Sequence, residues 1–216
     1  MLLEIRAVEP FFKNGFVIGC EETHEAALID PGDEAEDLLA IVSRRRLVVK
    51  HILLTHAHVD HVSGVARARS ELGAPVYLHP DDRFLYDAAL DQAKFFGLSV
   101  DALPPIDRFY TDHPDIVFGR YTIHVRHTPG HSPGGVCLQV AGPGETSGAV
   151  PPKLFVGDTL FAGSIGRTDL PGGDYDTLIR SIREVLFPMG DEAEVYPGHG
   201  PKTTIGEERR TNPFLK

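Results

Sequence analysis

The chain is poor in sulfur and has no tryptophan: its two cysteines, Cys20 and Cys137, lie far apart and each sits inside an apolar segment. A disulfide framework is therefore excluded, and so is a structural zinc site of the cysteine type, which needs closely spaced thiolates. Both thiols are expected to be buried. Long hydrophobic runs are also missing. No stretch approaches the roughly 20 apolar residues that span a bilayer, so no membrane partner is expected. The opening MLLEIRAVEP has Glu4 and Arg6 inside its one apolar stretch, which breaks a signal-peptide core and reads as a strand, leaving a cytoplasmic location as the expectation. Basic residues are outnumbered, 21 Lys and Arg against 31 Asp and Glu, for a formal charge of −10. Phosphate backbones are gripped by clustered cations, so no nucleic-acid partner is expected. The one basic run, Arg44-Arg45-Arg46, reads as the end of a helix, where cations meet the carbonyl end of the dipole.

What remains is ordinary globular composition, 42% hydrophobic and 24% charged, over 216 residues. That length fits a single domain, taken as 1–216. Three short strands, LLEIRAV, FVIG and AALID, joined by turn-rich NG and EETHE, suggest an antiparallel meander. Asp33, with Glu36 three residues on, reads as a capping box opening a helix whose apolar side is Leu38, Leu39, Ile41 and Val42. HILLT reads as a buried strand, VSGVARARSELG as a helix ending at Gly73, PVYLH as a strand, and the segment from Asp81 through FLYDAALDQAKFF as one helix. Residues 97–114 form a Pro-containing connector long enough to lie over a site. Strands return as DIVFG, YTIHVRHT, GVCLQV and KLFVG, with a flexible tip at 141–152 between the last two. The helix YDTLIRSIREVLF puts Leu178, Ile179, Ile182, Val185 and Leu186 on one face, and AEVYPGHG closes the series as a strand and turn. Strands then helix, strand then helix, recur in each half. Two packed sheets with helices outside is the economical arrangement.

Residues 55–61 read THAHVDH, which crowds His56, His58, Asp60 and His61 into six positions. On a helix, at about 100° per residue, these four would scatter around the axis and fail to converge, so a loop leaving a strand is expected. In extended chain His56 and His58 share a side while His61 has opposite parity, which favours two adjacent metal sites over one. A lone histidine is usually structural; this density reverses the odds. His131 in HTPGHSPGG, Asp158 in FVGDTLF and His199 in YPGHG follow predicted strands, each with glycine beside it to let the backbone bend. Five histidines and two aspartates suit two divalent ions, Zn²⁺ first, with Fe or Mn also accepted by such a set. Seven ligands for two ions leave open positions, the mark of a catalytic metal.

HxHxDH followed by a distant His, Asp and His resembles the signature of the metallo-β-lactamase superfamily, and the resemblance runs from the first strands to His199. It implies an α/β fold, an αββα sandwich of two mixed β-sheets flanked by helices, with metals at one edge. It further implies His56, His58 and His131 on the first ion, Asp60, His61 and His199 on the second, and Asp158 bridging. Within the superfamily, GSIGRTDLPGGDYDTLI and GHGPKTTIGEERRTNPFL look like the short bacterial hydrolases related to glyoxalase II, the hydroxyacylglutathione hydrolase. The C-terminal helical extension that helps clamp glutathione in glyoxalase II proper has no counterpart after His199, so the thiol part of the substrate stays open. The expected reaction is thioester hydrolysis, of S-lactoylglutathione or a related acyl thioester, by a hydroxide shared between two ions, with Asp60 also orienting the water. A departing thiol, with a pKa near ~8.5, leaves as thiolate without a dedicated acid. The rival reading is a mononuclear iron persulfide dioxygenase of the same superfamily, since those enzymes share HxHxDH and a GRTD-like segment, here Gly166-Arg167-Thr168-Asp169.

Among the remaining candidates, Arg167 is expected either to bind a substrate carboxylate or to fix its own loop by a salt bridge. Tyr175 and the 97–114 connector are placed at the pocket by position alone. His127 reads as a supporting or structural residue, and His24, His51, His79, His113 and His124 are assigned nothing. The expected partner is a small-molecule substrate, with the oligomeric state left open.

Overall fold

The structure, a computed structural model, describes residues 1–112, 115–143 and 151–216. Most of the expected tip at 141–152, and His113 and Pro114 of the expected connector, lie outside the described residues. The chain divides into two compact units, Met1–His113 with Val117–Arg120, and Pro114–Ile116 with Tyr121–Lys216.

In the first unit, β1 (Leu2–Arg6), β2 (Gly15–Gly19) and β3 (Glu25–Ile29) form the expected antiparallel meander, with Leu3 opposite Ile18 and Val17 opposite Leu28. Helix α1 (Ala35–Arg45) carries the chain back, so β4 (Val48–Leu53) pairs parallel with β3. A second crossover through α2 (Val59–Val62) and α3 (Val65–Leu72) makes β5 (Val76–Leu78) parallel to β4. The helices lay Leu38, Ile41, Val42, Val62 and Val65 against Leu28, Ile52 and Val76, which is the core of this unit. Because β3, β4 and β5 run the same way, the segments that leave them emerge at one edge of the sheet, where ligands of open parallel sheets gather.

Four expectations are corrected here. The capping box at Asp33 is not made: its carboxylate accepts from Ser63 Oγ at 2.7 Å, and Glu36 accepts from Arg67 Nε at 2.6 Å. Both groups are drawn away from the helix start, which begins at Ala35 on the Gly32 carbonyl. The single helix after Asp81 is three pieces, a 3₁₀ turn at Pro80–Asp82, α4 (Arg83–Asp87) and α5 (Ala89–Phe95), broken at Ala88 with φ −89° and ψ −1°. The connector contains a strand, β6 (Arg108–Phe109), parallel to β5. Its anchor is the Asp107 carboxylate, which accepts from Val76 N at 2.9 Å and from Arg69 at 3.1 and 3.2 Å. Finally, THAHVDH is a loop only as far as His58; Val59–Val62 is a helical turn.

The second sheet has the order β14-β13-β10-β9-β8-β7, where β7 is Asp115–Phe118, β8 Tyr121–His127, β9 Val136–Ala141, β10 Lys153–Gly157, β13 Glu194–Pro197 and β14 Thr203–Thr204. A hairpin of β11 (Leu160–Phe161) and β12 (Ser164–Ile165) follows β10. β8 and β10 are both antiparallel to β9, and β13 is parallel to β10, so β8, β10 and β13 all point one way. The edge device of the first sheet recurs. The expected helix at 175–187 is α6 (Tyr175–Arg180), a π-helical stretch at Ser181–Leu186 and a 3₁₀ turn at Phe187–Met189. Leu178, Ile182 and Leu186 are fully buried as the periodicity requires, while Ile179 and Val185 are half-buried. Helix α7 (Ile205–Thr211) was not anticipated, although Thr204 and Glu207 form the Ser/Thr-x-x-Glu pattern; Thr204 Oγ1 accepts from Glu207 N at 3.2 Å. Among the described residues no helix is long and apolar enough to cross a membrane.

Candidate metal centre

In the first unit the ligand candidates leave β4 together. His56 and His58 are in the loop, His58 caps α2, and Asp60 and His61 lie within that helical turn. The rings of His56 and His58 are 4.9 Å apart between centroids, and those of His56 and His61 4.0 Å. Asp30, directly after β3, is the residue that organises them. It is fully buried, and its carboxylate accepts from Thr55 N and Thr55 Oγ1, both at 2.6 Å, and from His61 Nδ1 at 2.9 Å. Since Thr55 commits its hydroxyl proton to Asp30, its oxygen can only accept from His56 Nδ1, 3.2 Å away. In both neutral rings Nε2 then carries the lone pair, the tautomer that suits a metal ligand. Asp82, after β5 and fully buried, accepts from Ala57 N at 3.0 Å and so fixes the loop between the two histidines. Asp30, Thr55 and Asp82 went unread in the sequence; the available signal was a carboxylate ending an apolar strand or opening a turn, as in AALID.

The second unit brings its own three candidates to one place. His131 follows β8, Asp158 follows β10 and His199 follows β13, the three strands that share a direction. Asp158 Oδ2 is 3.6 Å from His131 Nε2 and 3.6 Å from His199 Nε2. Two ligands on one tetrahedral ion, with arms of ~2.0–2.2 Å, sit roughly 3.5 Å apart, so the spacing fits a carboxylate that shares ions with both rings. His61 Nε2 and Asp60 Oδ2, at 3.8 Å, are similarly spaced. His131 Nδ1 donates to the Arg167 carbonyl at 2.8 Å, which again turns Nε2 into the ligand atom. Glycine at 130 is required: its φ is +133°, and a Cβ there would overlap the Leu178 backbone.

The other candidates make contacts of their own. The Arg167 guanidinium grips Asp169 through two bonds of 2.7 Å, holding that exposed carboxyl down at about 2. Its contact with the ligand candidate His131 is made by the main chain. His127 Nε2 bonds the Pro133 carbonyl at 2.8 Å, His51 Nε2 the Val117 carbonyl at 2.9 Å, and His124 Nδ1 the Asp115 carboxylate at 2.7 Å. His79 caps the 3₁₀ turn by accepting from Asp81 N, and Tyr175 is an exposed first residue of α6. Cys20 and Cys137 are free and buried, as expected.

Two mixed sheets with their helices, and histidines and aspartates on loops at the ends of parallel-running strands, define a metal-dependent protein of the class the motif anticipated. The chain belongs to the metallo-β-lactamase superfamily, whose family model matches residues 8–199. It is 41% identical to the hydroxyacylglutathione hydrolase GloC of Haemophilus influenzae over 218 residues, covering 100% of this chain and 98% of that one. The solved structure of the BLEG-1 B3 metallo-β-lactamase matches with a TM-score of 0.88 at 39% identity, covering 100% of each chain. TTHA1623 in a di-iron-bound form matches with a TM-score of 0.83 at 43% identity, covering 98% of this chain and 100% of that one. The expected fold class, the α/β metallo-β-lactamase fold, is thereby established.

Proposed function

We propose that the whole chain, 1–216, is a dinuclear metal-dependent thioester hydrolase acting on a small acyl thioester of the S-lactoylglutathione kind. The observation that carries this reading is the full-length likeness to a hydroxyacylglutathione hydrolase. By the family's motif, His56, His58 and His131 would hold one ion and Asp60, His61 and His199 the other, with Asp158 available to both. Zn²⁺ is the first choice; the likeness to a di-iron form keeps iron in the test. Once bound, such ions supply the acidity that makes water a nucleophile near neutral pH and the positive charge that steadies an oxyanion.

The chain's own residues do the rest. Asp30 and the Arg167 carbonyl hold His61 and His131 by Nδ1, Thr55 does the same for His56, and each ring keeps Nε2 for the metal. Asp60, whose carboxylate is partly exposed, would accept a hydrogen bond from the attacking water and so orient its lone pair toward the acyl carbon. The thiol departs as thiolate, so no side chain need protonate it. Arg167, on an exposed loop beside His131, meets a substrate carboxylate if Asp169 releases it. A cytoplasmic setting is part of the same reading.

The test is metal analysis of anaerobically purified protein, joined to turnover of a thioester panel, a β-lactam and a persulfide. Two metals per chain with thioester turnover fastest is the expected result. One iron per chain with oxygen uptake on persulfide, or faster β-lactam cleavage, would overturn it.

A further inference from the structure

Beneath the metal-binding turn lies an ion pair that none of the ligand chemistry above uses. Lys13, in the β1–β2 loop, and Glu34, just before α1, meet at 2.6 Å with both side chains 2% exposed or less. Burying two charges is costly, and an apolar pair of similar volume often serves stability as well or better. Their neighbours indicate another use. Lys13 Nζ also donates to the main-chain carbonyl of Asp30, while Glu34 Oε1 also accepts from Gly32 N at 2.9 Å. Thus the pair grips the Asp30–Gly32 segment from both ends. Asp30 has φ +49°, a left-handed conformation uncommon outside glycine, so its peptide needs an external hold. Gly32 in turn lies against the turn itself: a Cβ there would overlap the Asp60 carbonyl oxygen and press on Lys13 Cε. Gly15 is equally committed, since a Cβ there would overlap Glu34 Oε1.

We propose that the Lys13–Glu34 pair is a positioning element for the metal-binding turn, fixing the Asp30 peptide so that the Asp30 carboxylate faces Thr55 and His61. Its bearing on metal rests on the function proposed above. Its bearing on His61 does not. The chain of contact is explicit: Lys13 to the Asp30 carbonyl, the Asp30 carboxylate to His61 Nδ1, and His61 Nε2 outward.

The decisive comparison uses three proteins: the parent, Lys13→Met with Glu34→Leu, and Lys13→Gln with Glu34→Gln. The apolar pair removes both charges together, so neither is left buried alone, and the amide pair keeps donor and acceptor atoms. In the metal-free proteins, NMR follows the His61 Nδ1–H proton, which is protected from solvent exchange in the parent through its bond to Asp30. The apolar pair is expected to lose that protection while its melting temperature stays near the parent's, with the amide pair between them. In metal competition against a chromophoric chelator, one of two equivalents is expected to bind about tenfold more weakly or worse in the apolar pair. Equal His61 proton protection in all three overturns the proposal, as does its loss only in step with melting temperature. Should the amide pair alone fold, its protection against the parent's decides in the same sense. If the parent binds one metal or none, the function proposed above fails while the His61 readout still judges the ion pair.

Discussion

Asp30 commits three acceptances to two residues, and a carboxamide in its place could not make all three, because one of its two heads is a donor. Asp30→Asn is expected to weaken metal binding about 10–100-fold, the usual cost of losing a histidine's outer partner, with metal content after dialysis as the check. Asp82→Ala acts differently, by leaving the buried Ala57 N–H without an acceptor, and is expected to lower stability by about 1–3 kcal/mol in urea unfolding. Cys137 is a further residue-level test: burial pushes its thiol up to about 12, so alkylation is expected only after denaturation. At this scale the ligand candidates were legible, because His56, His58, Asp60 and His61 are chemically conspicuous at any conformation. Asp30, Thr55 and Asp82 were not, since each matters only once parallel strands deliver their ends to one edge. The hold of the Arg167 carbonyl on His131 was not legible either, because no side-chain pattern reports a main-chain oxygen.

Among the elements, α7 offers the simplest measurement, Thr204→Ala. Loss of the cap bond to Glu207 N is expected to cost about 1 kcal/mol, read as a lower urea midpoint at unchanged slope. On β13, burial works against the charged form of Glu194, but hydrogen bonds from Lys153, Lys202 and Tyr196 outweigh it and hold the pKa at about 2, below the ordinary 4.5. A folded-state pKa that is depressed adds stability above the ordinary value and loses it as pH falls toward 2. Glu194→Gln is therefore expected to flatten the decline of melting temperature between about pH 4.5 and pH 2. Strands and the faces of α1 and α6 could be read from periodicity, because burial enforces it. The start of α1 could not, because distant partners decide it: Ser63 and Arg67 draw away the very groups that would have made the cap. Strand β6 exists because Asp107 ties it to Val76, another long-range cause.

For the whole molecule, the proposed metals should act as stabilising ligands. Free metal at about a hundredfold over its dissociation constant adds ~2.7 kcal/mol per site, which for a chain of this size is a rise of about 5–10 °C in melting temperature, reversed by chelator. The fold class was legible because strand-helix order repeats along the chain; strand neighbours were not, as β10 chooses β13 across an intervening hairpin and helix, a loop-closure matter rather than a local one. His131 is steadied by the peptide oxygen of residue 167, an atom every amino acid brings, whereas a Cβ at Gly166 would overlap the Asp158 carbonyl. The seat of His131 is thus strict at 166 and indifferent to the side chain next door. A chain built this way can change what residue 167 presents to a visitor without unseating the ring.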